Sequence, residues 1–294
     1  MTGRTKELNW REAWAEMQKQ RGRSLRIGYD PEFRDKFAED SSEIAKHNNY
    51  EYGRKATEAL SGRLDDNFEV LEIGAGPGTL TIPLAENVKR IVVIEASGTA
   101  VNYLKRNTKE CLVENVEIVN KNWLDVDEHK IKDGFDLVVC SHFLWQVTDL
   151  ERHLEKMEHA SNKYCAVIQP VGRDSIVKEI WTVITGEDYR GEFDPDADYF
   201  AYQILRQWGR LVNVRIMNYS TERNFEQELR YIASFIGKYV EVDTSVKKII
   251  EQYVRKKGLW KEEHSAVVMW WRIPSYIPER FQKGKNNSGY QNDA

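Results

Sequence analysis

The chain has 294 residues, room for one large α/β domain with insertions or for two modest ones, and its 41% hydrophobic and 31% charged content is that of a folded globular protein. Its 43 basic and 47 acidic residues leave a formal charge of −4, so the molecule as a whole offers polyanions no attraction and a nucleic-acid partner is disfavoured. The segment MTGRTKELNWREAWAEMQKQRGR lacks the apolar stretch of a signal peptide, and no later run has the length of a membrane span, which predicts a cytoplasmic protein with no membrane partner.

Trp14 and Met17 stand at helical spacing among charged residues from Trp10 to about Gly22, which predicts an amphipathic helix on the outside of a domain. The stretch carrying Tyr29, Phe33, Phe37, His47, Tyr50 and Tyr52 reads as irregular, and a helix from Gly53 to Leu60 leads out of it. Strand and helix then alternate. Val70 to Ile73, Arg90 to Glu95, Val116 to Asn120, Phe135 to Ser141 and Tyr164 to Gln169 are predicted strands. Leu80 to Glu86, Gly98 to Cys111 and Leu150 to Ala160 are the helices between them. Right-handed crossovers make this a doubly wound, mostly parallel sheet.

After Pro170 the chain is rich in aromatics from Ile176 to Trp208; a strand from Val212 to Tyr219, helices from Phe225 to Val240 and Ser245 to Lys257, and a last strand from Ala266 to Ile273 follow. The tail GKNNSGYQNDA has little to bury and reads as disordered. The expected divisions are a helical cap over residues 1–60, a cofactor-binding core over 61–175, the remaining strands with inserted helices over 176–275, and the tail over 276–294. Cys111, Cys140 and Cys165 form no CxxC pair, and the last two sit in apolar runs, so all three read as small packing residues rather than disulfides or metal ligands. The six histidines show no zinc-type spacing, and the DPDAD run lacks the remaining ligands of a calcium loop, so no metal is expected.

The chemistry concentrates in VLEIGAGPGTL, Val70 to Leu80. A strand that runs into Gly74, Ala75, Gly76, Pro77 and Gly78 has glycine where the backbone turns sharply and where a ligand must approach without a Cβ in the way. The dinucleotide pattern GxGxxG would need its third glycine at position 79, which is Thr79; here the glycines are spaced GxGxG with Glu72 two residues ahead. With that spacing the segment resembles the class I S-adenosylmethionine-dependent methyltransferases, over roughly Asn67 to Pro170. The resemblance implies a Rossmann-like fold, S-adenosylmethionine as cofactor, and cofactor contacts from Glu72, Gly74, Ala75, Gly76 and Gly78.

Glu95 ends the second strand about 20 residues beyond the first glycine, where a carboxylate accepts both ribose hydroxyls; Ala96 adjoins it. For the adenine, the resemblance points to the segment after the third strand. Asn122 occupies the usual acidic position there, with Asp125 as its rival, and Trp123 either covers the ring or is a core aromatic. Ser141 would contact the methionine moiety. His142 is the candidate general base, or else a histidine bonded to a neighbouring loop. Tyr29 and Tyr50 fall in a region that folds over the cofactor in many family members, although Tyr50 also reads as an anchor for the following helix. Gln169 could reach the acceptor from the fifth strand, and Tyr199 and Tyr202 are the candidate acceptor-pocket aromatics.

The function expected from these residues is methyl transfer from the sulfonium to a nucleophile on a small molecule, by in-line displacement in which the protein mainly aligns and excludes water. The alternatives are transfer to RNA or protein, with the basic helix carrying Lys247, Lys248, Arg255, Lys256 and Lys257 as dock, and a cofactor-binding protein without turnover.

Overall fold

The computed structural model describes residues 8–24, 31–172, 175–189, 196–258 and 260–274. Seven strands form one sheet: β1 (Glu69–Ile73), β2 (Arg90–Glu95), β3 (Val116–Asn120), β4 (Phe135–Ser141), β5 (Ser161–Val171), β6 (Asn213–Arg223) and β7 (Trp260–Arg272). Their order is β3-β2-β1-β4-β5-β7-β6. The first five run parallel, while β7 is antiparallel to both β5 and β6. β1, β2 and β4 are covered on both faces, which is why their interiors are mostly apolar and do not alternate, with the buried Glu72 as the exception in β1. The order reverses between β1 and β4, and in open α/β sheets the ligand crevice lies at that switch, beyond the carboxyl ends of the strands.

On one face α1 (Trp10–Ser24), α7 (Leu150–Ala160) and α9 (Ala197–Gln207) bury Trp14, Leu154 and Leu205 against Cys165, Val167 and Trp271. On the other, α3 (Glu51–Leu60), α4 (Thr81–Ala85) and α5 (Gly98–Glu110) bury Ala56, Leu60, Leu84 and Leu104 against Val93, Val139 and Ile168. Capping side chains start the helices where the sequence supplies them: Ser97 accepts from the Ala100 N–H of α5, and Asp149 from Arg152 of α7. A third cluster lies outside both faces. Here α8 (Ser175–Thr185), α10 (Phe225–Ile236) and α11 (Thr244–Lys257) pack Val177, Ile180, Ile232, Ile236, Ile250 and Val254 together. α8 follows the end of β5, α10 follows the end of β6 and α11 precedes β7, so all three hang from the edge where the parallel strands end.

Three differences from the sequence expectations have physical causes. Residues 31–47, read as irregular, form α2 (Pro31–His47). Its inward side is Ala38, Asp40, Ser42 and Ala45, so the helix buries small and polar groups and shows no apolar period. Ser42 bonds Asn107 of α5, and Asp40 holds Arg230 of α10 through two bonds of 2.7 Å, which joins the outer helices to the core. The N-terminal helix is not an outer decoration: Trp14 is fully buried and its indole N–H donates to the Val147 carbonyl at 2.8 Å. β6 and β7 continue past the apolar residues into polar ones, because that overhang is held by cross-strand pairs, Ser220 with Glu263 and Arg223 with Glu262.

The three cysteines are free, Cys140 and Cys165 buried and Cys111 exposed. Among the described residues no helix is long and apolar enough to cross a membrane. The tail from Gly284 lies outside the described residues.

Candidate functional site

The loop after β1 holds Gly74, Gly76 and Gly78 at φ of 73°, 56° and 96°, a region that side chains rarely adopt. Gly74 and Gly78 are also fixed by packing, since a Cβ would meet Phe143 at 2.5 Å in the first case and Leu104 at 2.6 Å in the second. At Gly76 a Cβ would meet nothing within 4 Å. Its bare backbone faces open space, the condition for close approach of a ligand. The Glu95 carboxylate spans the turn, accepting the Gly76 N–H at 2.9 Å and the Ser97 N–H at 2.8 Å. A carboxylate offers about four lone-pair sites, so two remain for hydroxyl donors. The backbone after Glu95 is pinned by Asn120, whose amide donates to the carbonyls of Glu95 and Ala96.

Glu72 lies beneath the loop at 1% exposure with one carboxylate oxygen lacking any partner. Burial pushes its pKa up to about 7, against the smaller opposing influence of Thr81. A bare loop, an orphaned buried carboxylate oxygen and a second carboxylate with spare acceptors fit a nucleoside cofactor that carries hydroxyl and ammonium donors.

Beyond β3, Asn122 is exposed and caps a short turn by accepting the Leu124 N–H at 2.9 Å. Trp123 is 2% exposed, inside the first core; its N–H donates to His153 Nδ1 at 3.1 Å and Lys156 lies over its ring. That arrangement is the core-aromatic alternative. The apolar side chain open to solvent in this loop is its neighbour Leu124, 72% exposed, which the sequence reading passed over. Asp125 is exposed as well.

At the end of β4, Ser141 Oγ lies 2.6 Å from the hydroxyl of Tyr52. His142 follows at φ 50°, its backbone N–H bonded to the Ile168 carbonyl and its ring edge-on to Tyr52. His142 is exposed as a residue. Desolvation, helped by His264, lowers its pKa to about 4, so it is neutral at pH 7.

Other expected residues are placed elsewhere. Tyr29 lies outside the described residues. The Tyr50 hydroxyl is buried beside Cys111 Sγ rather than beside Ser141, the anchoring alternative. Tyr199 packs edge-on to Trp10 and Tyr202 against the first core, so both serve the contact of α9 with its own layer and neither joins the Ser141–His142 group. Gln169 is 4% exposed, one step along the β4–β5 register from the Ser141–Ile168 pair, and its amide nitrogen has no partner. Tyr52, missed as a site residue, is signalled only by its neighbour Gly53, where a Cβ would collide with the Thr79 carbonyl at 2.1 Å. α3 is thereby seated directly on the glycine loop. Among the described residues no group of three or more His, Cys, Asp or Glu side chains is placed to hold a metal.

A doubly wound sheet with a reversed last strand, and a GxGxG loop answered by a carboxylate on the next strand, define a Rossmann-like nucleoside-binding domain. Residues 64–188, somewhat under half of the chain, match the family model described as a methyltransferase domain. The chain is similar to a probable ribosomal RNA small subunit methyltransferase A of Methanosphaera stadtmanae, 40% identical over 78 residues that make up 26% of this chain and 27% of the relative. It is also similar to a tRNA/tmRNA (uracil-C(5))-methyltransferase of Pseudomonas fluorescens, 42% identical over 64 residues, 22% of this chain and 17% of that one. The chain thus spans less than half the length of these curated relatives. Among solved structures, the YcgJ protein of Bacillus subtilis shares the fold, with a TM-score of 0.50 at 12% identity over 76% of this chain and 99% of that one.

Proposed function

We propose that the protein transfers a methyl group from S-adenosylmethionine to a small-molecule nucleophile enclosed between the carboxyl edge of the sheet and the α8–α10–α11 cluster. The observation that carries the donor half is the Glu95 carboxylate bonded to the Gly76 and Ser97 N–H groups across a glycine loop with open space above it. In this reading Glu95 accepts from the ribose hydroxyls, Glu72 offers its orphaned oxygen toward the ammonium end, and Asn122 and Leu124 flank the adenine. When bound, the cofactor supplies a methyl group already activated by the sulfonium. The chain therefore has to align an acceptor, exclude water and, for a protonated nucleophile, take up a proton. The neutral imidazole of His142, at the strand end beside the loop, is the group for that last task.

A second reading, transfer to RNA, is favoured by the names of the relatives. Their similarity covers only about a quarter of the chain. Two titrations test the proposal. S-adenosylhomocysteine should bind by calorimetry, with NAD giving no heat, and Glu95→Ala should weaken it about tenfold or more through loss of charge-assisted hydrogen bonds. Binding of transfer RNA that weakens steeply with salt would move the acceptor assignment to RNA; unaltered S-adenosylhomocysteine affinity in Glu95→Ala would sink the donor site.

A further inference from the structure

Four rings contributed by four elements form a row across the carboxyl edge of the sheet. Tyr52 of α3 stands edge-on to His142 after β4, with centroids 5.0 Å apart, and edge-on to Tyr219 of β6 at 4.9 Å. Tyr219 in turn lies 5.4 Å from the ring of His264 on β7. The row is tied to the cofactor side by the bond between Tyr52 and Ser141. All four side chains keep some solvent exposure, as the walls of a binding cleft do.

Among the described residues, carboxylates stand at this rim. Glu51 accepts from the Ser220 N–H, Glu263 from the Ser220 hydroxyl, and Glu262 lies 3.5 Å from His264 Nε2. Arg223, a guanidinium at this rim, is buried and held between Glu228 and Glu262. Beside His142, the buried amide nitrogen of Gln169 has no hydrogen-bond partner among the described residues, a polar group left for a ligand. Aromatic faces and carboxylates both attract an ammonium group and both repel phosphate or carboxylate.

We propose that Tyr52, His142, Tyr219 and His264 form the acceptor subsite, and that the acceptor is an organic amine methylated on nitrogen. The inference rests on the methyl-transfer reading and narrows its acceptor. The ring faces hold the ammonium form. Once the amine has released its extra proton to water, with neutral His142 accepting a hydrogen bond from a remaining N–H, the nitrogen lone pair forms the new N–C bond as the C–S bond breaks with its electron pair left on sulfur.

The test is calorimetric titration of the full chain, saturated with S-adenosylhomocysteine, using benzylamine as probe and benzoate and inorganic phosphate as controls. Benzylamine should bind at least about tenfold more tightly than either anion. Tyr219→Leu should remove most of that binding and Tyr219→Phe, which keeps the ring, should retain it, with S-adenosylhomocysteine bound in both. Benzoate or phosphate binding as well as the amine, or an amine affinity indifferent to Tyr219→Leu, overturns the proposal. The comparison of amine with anion in the unmodified protein decides the matter even where the leucine variant does not fold. Failure of S-adenosylhomocysteine itself to bind counts against the methyl-donor reading instead, so the two failures are distinguishable.

Discussion

Glu72 illustrates what one buried carboxyl group does to the pH response. Its pKa stands near 7 in the fold against 4.5 in the open chain, because burial disfavours the charged form. A carboxyl group raised in this way favours the folded state most below about 4.5 and progressively less as pH rises toward 7. Glu72→Gln should therefore gain on the order of 1–3 kcal/mol at pH 8 and little at pH 4. Urea unfolding at the two pH values measures the difference, and equal gains at both would falsify the assignment. That Glu72 and Glu95 lie beside the glycine loop was legible from their register with the glycines, since backbone geometry fixes where a strand-end carboxylate points. Tyr52 and Leu124 were not, because a residue two places from a noticed one, or one place from a tryptophan, faces a direction that only the helix or turn sets.

At the scale of elements, the seat of α3 on the glycine loop depends on one missing methyl group. Gly53 would place a Cβ 2.1 Å from the Thr79 carbonyl and 2.9 Å from Pro83 Cγ, both on the segment that leaves the loop. Gly53→Ala should lower stability by about 1–3 kcal/mol, the usual cost of overpacking, and should weaken S-adenosylhomocysteine binding in the same preparation. Thermal unfolding and calorimetry read the two effects, and a stable variant with full affinity would refute the contact. The first four parallel strands were legible to within a residue, because burial on both faces demands mostly Val, Ile and Leu, whereas β5 runs three residues earlier and two later than expected, into polar residues at its start. α2 was invisible because it buries Ala38, Ser42 and Ala45, and the overhang of β6 and β7 because its partners are polar on both strands.

In the whole molecule, the reversed strand β7 is locked to the first face by a buried triad. Arg210 grips Glu158 of α7 through two bonds of 2.8 Å, and the Trp271 N–H donates to the same carboxylate at 2.7 Å. Glu158→Ala strands a buried guanidinium and an indole N–H at once and should cost about 3–5 kcal/mol of global stability. Denaturant unfolding followed by tryptophan fluorescence measures it; a loss below about 1 kcal/mol, the range of exposed pairs, would show the triad to be solvated. The overhanging ladder has a further consequence. Arg223 and Trp260 sit directly opposite each other, so α10 and α11 leave the sheet and return to it at one place. An excursion with coincident ends imposes no length on the chain between them, so the strand register does not depend on how many residues α10 and α11 contain.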